Sequence, residues 1–173
     1  MTIHAVHGCV IVLDNLDRIS LLNMLAAVIG RQGWLCLMFC IMDTHYHLLV
    51  VTPEPNLAEG MCLLNGSYAQ WFNRRHGRKG HLFRERYHPK RVLDDAHLLL
   101  TVRYIALNPV EAKLAPTAGE YPWSSYPGAV GATPCWPFIA REELLAHFSR
   151  GESGARLMQD FVEHGQSSTK PAT

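Results

Sequence analysis

The sequence predicts an α+β domain in which helices pack on an antiparallel sheet of four to five strands, followed by a C-terminal helical extension. Short β-branched and aliphatic segments alternate with segments whose apolar residues recur every three to four positions, in the order β-α-β-β-α-β-α. The second and third strands are separated by only a short polar turn, and such turns join antiparallel neighbours. The order is that of a ferredoxin-like arrangement.

The first half of the chain contains three predicted strands and two predicted helices. Turn formers and helix caps separate them, and apolar residues at helical spacing mark one face of each helix. The expected elements are a strand over Ile3 to Val12, a helix from Asp14 or Asn15 to about Gln32 that stops at Gly33, a central strand over Trp34 to Ile41, a histidine strand that begins at His45 and ends before Pro53, and a helix capped by Asn56 that runs to roughly Arg75.

The second half begins with an edge or bulged strand over residues 81–88, because Pro89 cannot continue a ladder. A helix capped by Asp94 or Asp95 follows, and Pro109 helps to end it near Asn108. Five prolines then mark a long irregular connection before two short closing helices over 141–148 and 152–164. We expect a main domain over residues 1–115, an extension packed on it over 116–165, and a flexible tail over 166–173.

Composition limits the classes of partner and compartment. The net charge is only +1, but eight of the sixteen Lys and Arg residues lie in one stretch with a single acid. A basic stripe on a neutral protein predicts a local polyanion contact, although a solvated loop explains it too. The eight residues are Arg74, Arg75, Arg78, Lys79, Arg84, Arg86, Lys90 and Arg91. Five cysteines without a C-x-x-C pair indicate reduced thiols in the cytoplasm. We find neither a signal peptide nor a segment apolar enough to span a membrane.

The most informative segment is the start of the histidine strand, where two histidines flank one tyrosine and four aliphatic residues follow. Side chains alternate across a strand, so His45 and His47 share one face and Tyr46 lies on the other. The Cα atoms of the two histidines would lie about 6.5 Å apart, within reach of one cation. By itself the pattern fits either a metal site or two ordinary histidines at a strand end.

A second group of polar residues lies on the helix before Pro109. Thr101, Tyr104 and Asn108 are three and four residues apart and share one helical face. Tyr104 is therefore one turn away from an amide oxygen that can bind a metal. A boundary tyrosine that satisfies its hydroxyl at a helix edge explains the same pattern, so the residues alone leave both interpretations open.

Four motifs occur in order along the chain: His45-Tyr46-His47 followed by Leu-Leu-Val, then Gly80-His81-Leu82-Phe83, then RYIALNPV over 103–110, and YPWSSY over 121–126. Together they resemble the single-tyrosine HUH transposases of insertion-sequence type, where HUH stands for histidine–hydrophobe–histidine. Among these the chain is most similar to the REP-associated tyrosine transposases. The resemblance extends from about Ile3 to Gly165.

The resemblance implies a metal-dependent endonuclease and strand transferase that cleaves single-stranded DNA near hairpins. Tyr104 resembles the nucleophile, which forms a covalent 5′-phosphotyrosine. His45 and His47 resemble the paired metal ligands, and Asn108 stands where an amide completes the metal site, so the implied cofactor is Mg²⁺ or Mn²⁺. The implied partner is single-stranded or hairpin DNA, bound by a cytoplasmic, nucleoid-associated monomer or homodimer.

The sequence departs from the family pattern in two places. The turn before the histidines is Met42-Asp43-Thr44 where the family usually has Met-Pro-Asn, and the first strand leads into His7-Gly8 where Arg-Gly and a longer loop are usual. Two other functions compete: a DNA-hairpin-binding regulator that has lost catalysis, and a metal-dependent hydrolase that uses water. The joint presence of Tyr104 and the histidines argues against the first. The lack of a third acidic ligand near the histidines argues against the second.

Overall fold

The computed structural model describes residues 2–4, 10–83, 89–149 and 153–165. Among the described residues, the three strands and the first helix lie before position 52, and the elements that follow are helical. The elements are β1 (Thr2–His4), α1 (Asn15–Gln32), β2 (Leu35–Ile41), β3 (His45–Val51), α2 (Leu57–Arg75), α3 (Asp95–Glu111), a 3₁₀ turn (Ala118–Glu120), α4 (Tyr126–Ala129), α5 (Arg141–Ala146) and α6 (Ser153–His164). Within these ranges no helix has the length and apolarity needed to cross a bilayer.

The strands that the structure describes form one antiparallel sheet in the order β1-β3-β2. The α+β class is therefore confirmed, but these residues show three strands of the expected four to five. Residues 84–88 of the expected edge strand lie outside the described ranges. Among the described strands β2 is not central, contrary to the expectation, because β3 lies between the other two. The histidine strand is thus the middle of the described sheet.

The expected first strand does not extend to Val12. It covers Thr2–His4, and residues 5–9 lie outside the described ranges. Ile11 and Val12 are buried but belong to no strand. Their N–H groups donate to the carbonyl oxygen of Asp43, at 2.8 and 3.4 Å. The apolar character of this segment reflects burial against the turn before β3, not pairing in the sheet.

The predicted capping residues of α1 and α2 are found in the structure, with one exception. Asp14 caps α1 in a capping box with Asp17, and Gly33 closes the helix with φ of 65°. Asn56, however, makes no side-chain cap for α2. Its amide instead accepts from the Trp34 indole at 2.7 Å and donates to a carbonyl oxygen at 2.9 Å. The Asn56 side chain is thus used in tertiary hydrogen bonds and does not cap the helix.

The expectation that Pro109 ends α3 is also wrong, since the helix continues to Glu111. Proline removes one backbone donor, but its fixed φ is compatible with a helix. The next N–H groups still find acceptors: that of Ala112 donates to the carbonyl oxygen of Asn108 at 3.0 Å. Asn108 therefore lies inside a regular turn and not at a frayed end, which holds its amide in a defined position.

Each face of the sheet has its own hydrophobic core, so the helices do not lie on one side only. Helices α1 and α2 cover the face that carries Tyr46, and α3 with the C-terminal segment covers the face that carries Leu49. At a register shift between Cys36 and Met38, the consecutive residues Leu37 and Met38 both belong to the α3-side core, and Phe39 returns to the other core. His47 is directly opposite Cys40 of the α3-side core, so it faces α3.

The segment after α3 covers the outer edge of β2. Isolated bridges join Cys36 to Ile139 and Cys40 to Ser124. The N–H of Ala140 also donates to the carbonyl oxygen of Cys36 at 2.9 Å. An edge strand with unpaired groups invites pairing with another chain, and this coverage blocks it. The C-terminal segment therefore completes the sheet edge as well as the α3-side core.

Gly60 in the first turn of α2 is a position where backbone and side chain approach very closely. A Cβ atom there would lie 2.3 Å from Cζ2 of the buried Trp34. We expect Gly60→Ala to lower the free energy of unfolding by about 1–3 kcal/mol, because the indole must move within a packed core. Gly66→Ala on the same helix meets nothing within 4 Å and should raise it by about 0.5–1 kcal/mol. Urea unfolding of both variants checks this; equal effects would contradict it.

Candidate active site

The two histidines of β3 and one amide of α3 converge on the α3 face of the sheet. The Nε2 atoms of His45 and His47 are 3.1 Å apart. The Nε2 atom of His47 is 2.9 Å from Oδ1 of Asn108. The Asn108 amide is oriented by its own helix, since its Nδ2 donates to the carbonyl oxygen of Tyr104 at 2.6 Å. The Nε2 atom of His47 thus lies between a donor atom of the neighbouring His45 and one of Asn108, which is 61 residues further along the chain.

The two separations from His47 Nε2, to His45 Nε2 and to Asn108 Oδ1, fit ligands of one cation. Two ligands held at about 2.1 Å from a cation and at right angles to each other are about 3.0 Å apart. The observed separations of 3.1 and 2.9 Å therefore fit adjacent positions on a common cation. Across the described ranges, no cluster of three or more His, Cys, Asp or Glu side chains is suited to a metal. The donor set here is two imidazoles and one amide.

Tyr104 lies beside this group on the same helical face as Asn108. Its ring centroid is 5.3 Å from that of His47, with the planes at 81°. The ring is partly exposed, whereas His47 is 1% exposed. The structure thus brings His45, His47, Tyr104 and Asn108 together, as the sequence predicts. Their functional roles remain predictions.

Tyr46, the tyrosine between the histidines, lies on the opposite face in the other core. Its side chain is 1% exposed, and its hydroxyl donates to Oδ1 of Asn65 at 2.6 Å. Burial raises the pKa of Tyr46 well above its ordinary value. A buried, hydrogen-bonded phenol with a raised pKa is a poor nucleophile, which supports the assignment of Tyr46 to the core.

The turn before the histidines contributes contacts that the sequence does not reveal. Thr44 Oγ1 lies 3.1 Å from Nδ1 of His45. The Asp43 carboxylate pairs with Arg18 at 2.5 Å, and the Arg18 guanidinium lies 5.4 Å from the centre of the Trp123 ring. Thr44 could have been suspected because it adjoins His45. No local signal links Arg18 to a turn 25 residues further along the chain.

The predicted DNA-binding residues fall into three groups. Arg74 and Arg75 lie in the last turn of α2, Arg78 and Lys79 in the loop after it, and Lys90 and Arg91 on the exposed approach to α3. Arg84 and Arg86 lie outside the described ranges. Arg78 is placed over the Phe72 ring, 5.7 Å from its centre. The stripe therefore extends from the end of one helix to the start of the next.

Arg75 differs from its neighbour Arg74 because it is engaged in ion pairs inside the protein. It contacts Asp14 at 2.7 Å and also pairs with Asp17, which is fully buried. The hydrogen bond from Arg75 lowers the pKa of Asp14 to about 2. Burial works to raise the pKa of Asp17, but hydrogen bonds from His76, Leu13 and Arg75 lower it overall. Arg75 therefore holds the start of α1 against the end of α2.

Arg75→Gln is expected to lower stability at neutral pH, whereas Arg74→Gln should not. Because the carboxyl pKa values are depressed in the folded state, this stabilisation is present above their ordinary value of 3.8 and is lost as pH falls toward the folded values. The difference in urea midpoint between wild type and Arg75→Gln should thus shrink from pH 6 to pH 3. A difference that is independent of pH would contradict it.

Comparisons with known proteins identify the family and the fold of the chain. The model of the family described as "Transposase IS200 like" matches residues 6–108. No curated protein sequence matches the chain significantly. Among solved structures, the chain is similar to a REP-associated tyrosine transposase bound to a REP hairpin, with a TM-score of 0.63 at 15% identity over 87% of this chain and 88% of that one. At that identity the likeness is one of fold.

The histidine pair lies on the middle strand of the described sheet, beside a tyrosine and an amide of one helix. The family match includes all four of these residues and extends over more than half of the chain. The chain belongs to the IS200-like transposase family. The predicted family is thereby confirmed.

Proposed function

We propose that this protein is a metal-dependent single-stranded DNA endonuclease and strand transferase that cleaves near DNA hairpins through a covalent 5′-phosphotyrosine. The observation that carries the proposal is the convergence of three donor atoms at 3.1 and 2.9 Å beside Tyr104. Two imidazoles and an amide form a cation site, and the adjacent partly exposed phenol supplies a nucleophile. Membership of a transposase family supports the same chemistry.

Tyr104 performs the covalent step. Its Oη attacks the phosphorus and loses its proton to solvent, while the bond from phosphorus to the 3′ oxygen breaks and that oxygen takes up a proton. The products are a 5′-phosphotyrosine and a free 3′-hydroxyl. Because the phosphodiester energy is kept in the tyrosine ester, a second 3′-hydroxyl can attack it, rejoin a strand and release Tyr104. The reaction needs no nucleotide cofactor.

His45, His47 and Asn108 would hold the cation, with Mg²⁺ or Mn²⁺ as the proposed cofactor. A divalent cation held by these residues would supply Lewis-acid stabilisation of the charge that develops on the phosphate. Imidazole favours softer metals than Mg²⁺, so Mn²⁺ fits this mixed site well. The burial of His47 keeps its imidazole in one orientation, and α3 fixes the amide of Asn108.

We propose DNA hairpins with an adjoining single strand as the partner. A structural relative is bound to a REP hairpin, which supports this choice. Exposed basic residues at the end of α2 and before α3 would contact phosphates, so the affinity should fall as salt rises. Coverage of the β2 edge by the C-terminal segment favours a monomer over a homodimer joined through that edge.

The test is adduct formation on a denaturing gel. The full chain is mixed with a pool of labelled single-stranded oligonucleotides that contain hairpins with randomised flanks, in Mn²⁺ or in EDTA. We expect a covalent protein–DNA band that needs Mn²⁺. Cleavage without a covalent band would point to a hydrolase, and selection of hairpins without cleavage would point to a DNA-binding regulator.

A further inference from the structure

Thr44 contacts the His45 ring from the side opposite to the proposed cation site. Its Oγ1 is 3.1 Å from Nδ1 of His45, whereas Nε2 of the same ring is 3.1 Å from Nε2 of His47. Both nitrogens of His45 are therefore engaged, one by the turn and one by the donor set. A histidine can bind a metal through Nε2 only if that nitrogen carries a lone pair.

The hydrogen bonds around Asn108 indicate which nitrogen of each ring carries the proton. Because Nδ2 of Asn108 donates to the carbonyl oxygen of Tyr104, its Oδ1 is the atom that faces His47. That oxygen only accepts, so Nε2 of His47 carries the hydrogen when no cation is bound. Two N–H groups cannot face each other at 3.1 Å, so Nε2 of His45 presents its lone pair. The proton of a neutral His45 is then on Nδ1, where Thr44 Oγ1 accepts it.

We propose that Thr44 is a positioning residue for His45: its hydroxyl accepts the Nδ1 hydrogen and holds the Nε2 lone pair toward the cation site. This inference rests on the proposed metal role of His45. It also assigns different tasks to the two histidines. His45 is ready to bind in the cation-free protein, whereas His47 must first move its hydrogen from Nε2 to Nδ1. Partners of this kind fix both the tautomer and the orientation of metal-binding imidazoles.

The backbone that carries Thr44 is held by contacts that do not involve the cation site. The Asp43 carboxylate pairs with Arg18, and the Asp43 carbonyl oxygen accepts from Ile11 at 2.8 Å. The N–H of Met42 donates to the carbonyl oxygen of His45 at 2.8 Å. A hydroxyl on such a fixed turn imposes its position on the ring.

The experiment compares Thr44→Val, which removes the hydroxyl at nearly constant shape, with Thr44→Ser, which keeps it. Thr44 is exposed, so both variants should fold. Thr117→Val is the matched control, because the Thr117 hydroxyl donates to Glu120 at 2.8 Å, outside the histidine site. Imidazole ¹⁵N spectra of the cation-free full chain report the tautomers, and a titration with Mn²⁺ alone reports affinity.

In wild type and Thr44→Ser we expect His45 with its hydrogen on Nδ1, and in Thr44→Val a mixture of tautomers. Mn²⁺ affinity should fall about tenfold or more in Thr44→Val and stay near the wild-type value in the other two variants. Unchanged His45 spectra and affinity in Thr44→Val would overturn the inference. If the wild type binds no Mn²⁺, or His45→Ala binds it equally well, the proposed metal role fails instead, and the spectra still decide whether Thr44 sets the ring.

Discussion

Replacing Tyr104 by phenylalanine is expected to abolish the covalent protein–DNA adduct while the cation site persists. The change removes the one oxygen that would attack phosphorus, and it keeps the ring that lies 5.3 Å from His47. Loss of a nucleophile lowers turnover by about 10³-fold or more. The measurement is the yield of covalent band with a hairpin-bearing oligonucleotide in Mn²⁺. Binding of Mn²⁺ alone should stay near the wild-type value.

Tyr46→Phe is the matched control, since Tyr46 adjoins both histidines in sequence but faces the other core. Its hydroxyl is bonded to Asn65, so the substitution should cost about 1 kcal/mol of stability. The adduct should still form. A covalent band that persists in Tyr104→Phe and disappears in Tyr46→Phe would reverse the assignment of the nucleophile.

His47→Ala is expected to eliminate Mn²⁺ binding and, with it, adduct formation. The Nε2 atom of His47 lies 3.1 Å from that of His45 and 2.9 Å from Oδ1 of Asn108. Its removal therefore leaves His45 and Asn108 without the ligand that lies between them. A site reduced in this way cannot be rescued by moderate excess of cation. We expect the adduct yield to fall by about 10³-fold or more at saturating DNA.

The cavity left by a buried imidazole will also lower stability, so DNA binding and circular dichroism must show that the His47→Ala protein is folded. His147→Ala provides the control, because His147 is paired with Asp95 at 3.2 Å near the start of α3. That variant should bind Mn²⁺ and form adducts as the wild type does. Full adduct formation by folded His47→Ala would remove the histidine pair from the mechanism.

The sequence predicts the site better than it predicts the sheet around it. Alternation on a strand correctly puts His45 and His47 opposite Tyr46, and helical spacing correctly puts Tyr104 and Asn108 on one face. Both are local rules with fixed periods. The histidine pair and the Tyr104–Asn108 pair are far apart in sequence and meet only in the folded chain. The order of the four motifs, through the family resemblance, predicts that they form one site.

The misjudged features share one cause, which is competition from distant partners. Asn56 has the residue type of a cap, but Trp34 and a backbone carbonyl take its amide. Ile11 has the residue type of a strand, but it is buried and its N–H donates to the carbonyl oxygen of Asp43 in the turn before β3. Pro109 predicts the end of a helix, but it is buried within the last turn of α3, which continues to Glu111. Arg75, in contrast, stays a predicted DNA contact, and its ion pairs with Asp14 and Asp17 add an internal role that the sequence does not reveal.

His47 and Tyr104 contact each other within one chain, which bears on whether two inactive variants can restore activity when they are mixed. If each chain builds its own site, a mixture of His47→Ala and Tyr104→Phe proteins contains no molecule with both groups. Neither variant can then correct the other, and the mixture stays as inactive as its parts. Partners that exchanged their tyrosine helices would recover one intact site per mixed pair. The activity of the mixture, a test of intragenic complementation, therefore shows whether a single chain is the active species.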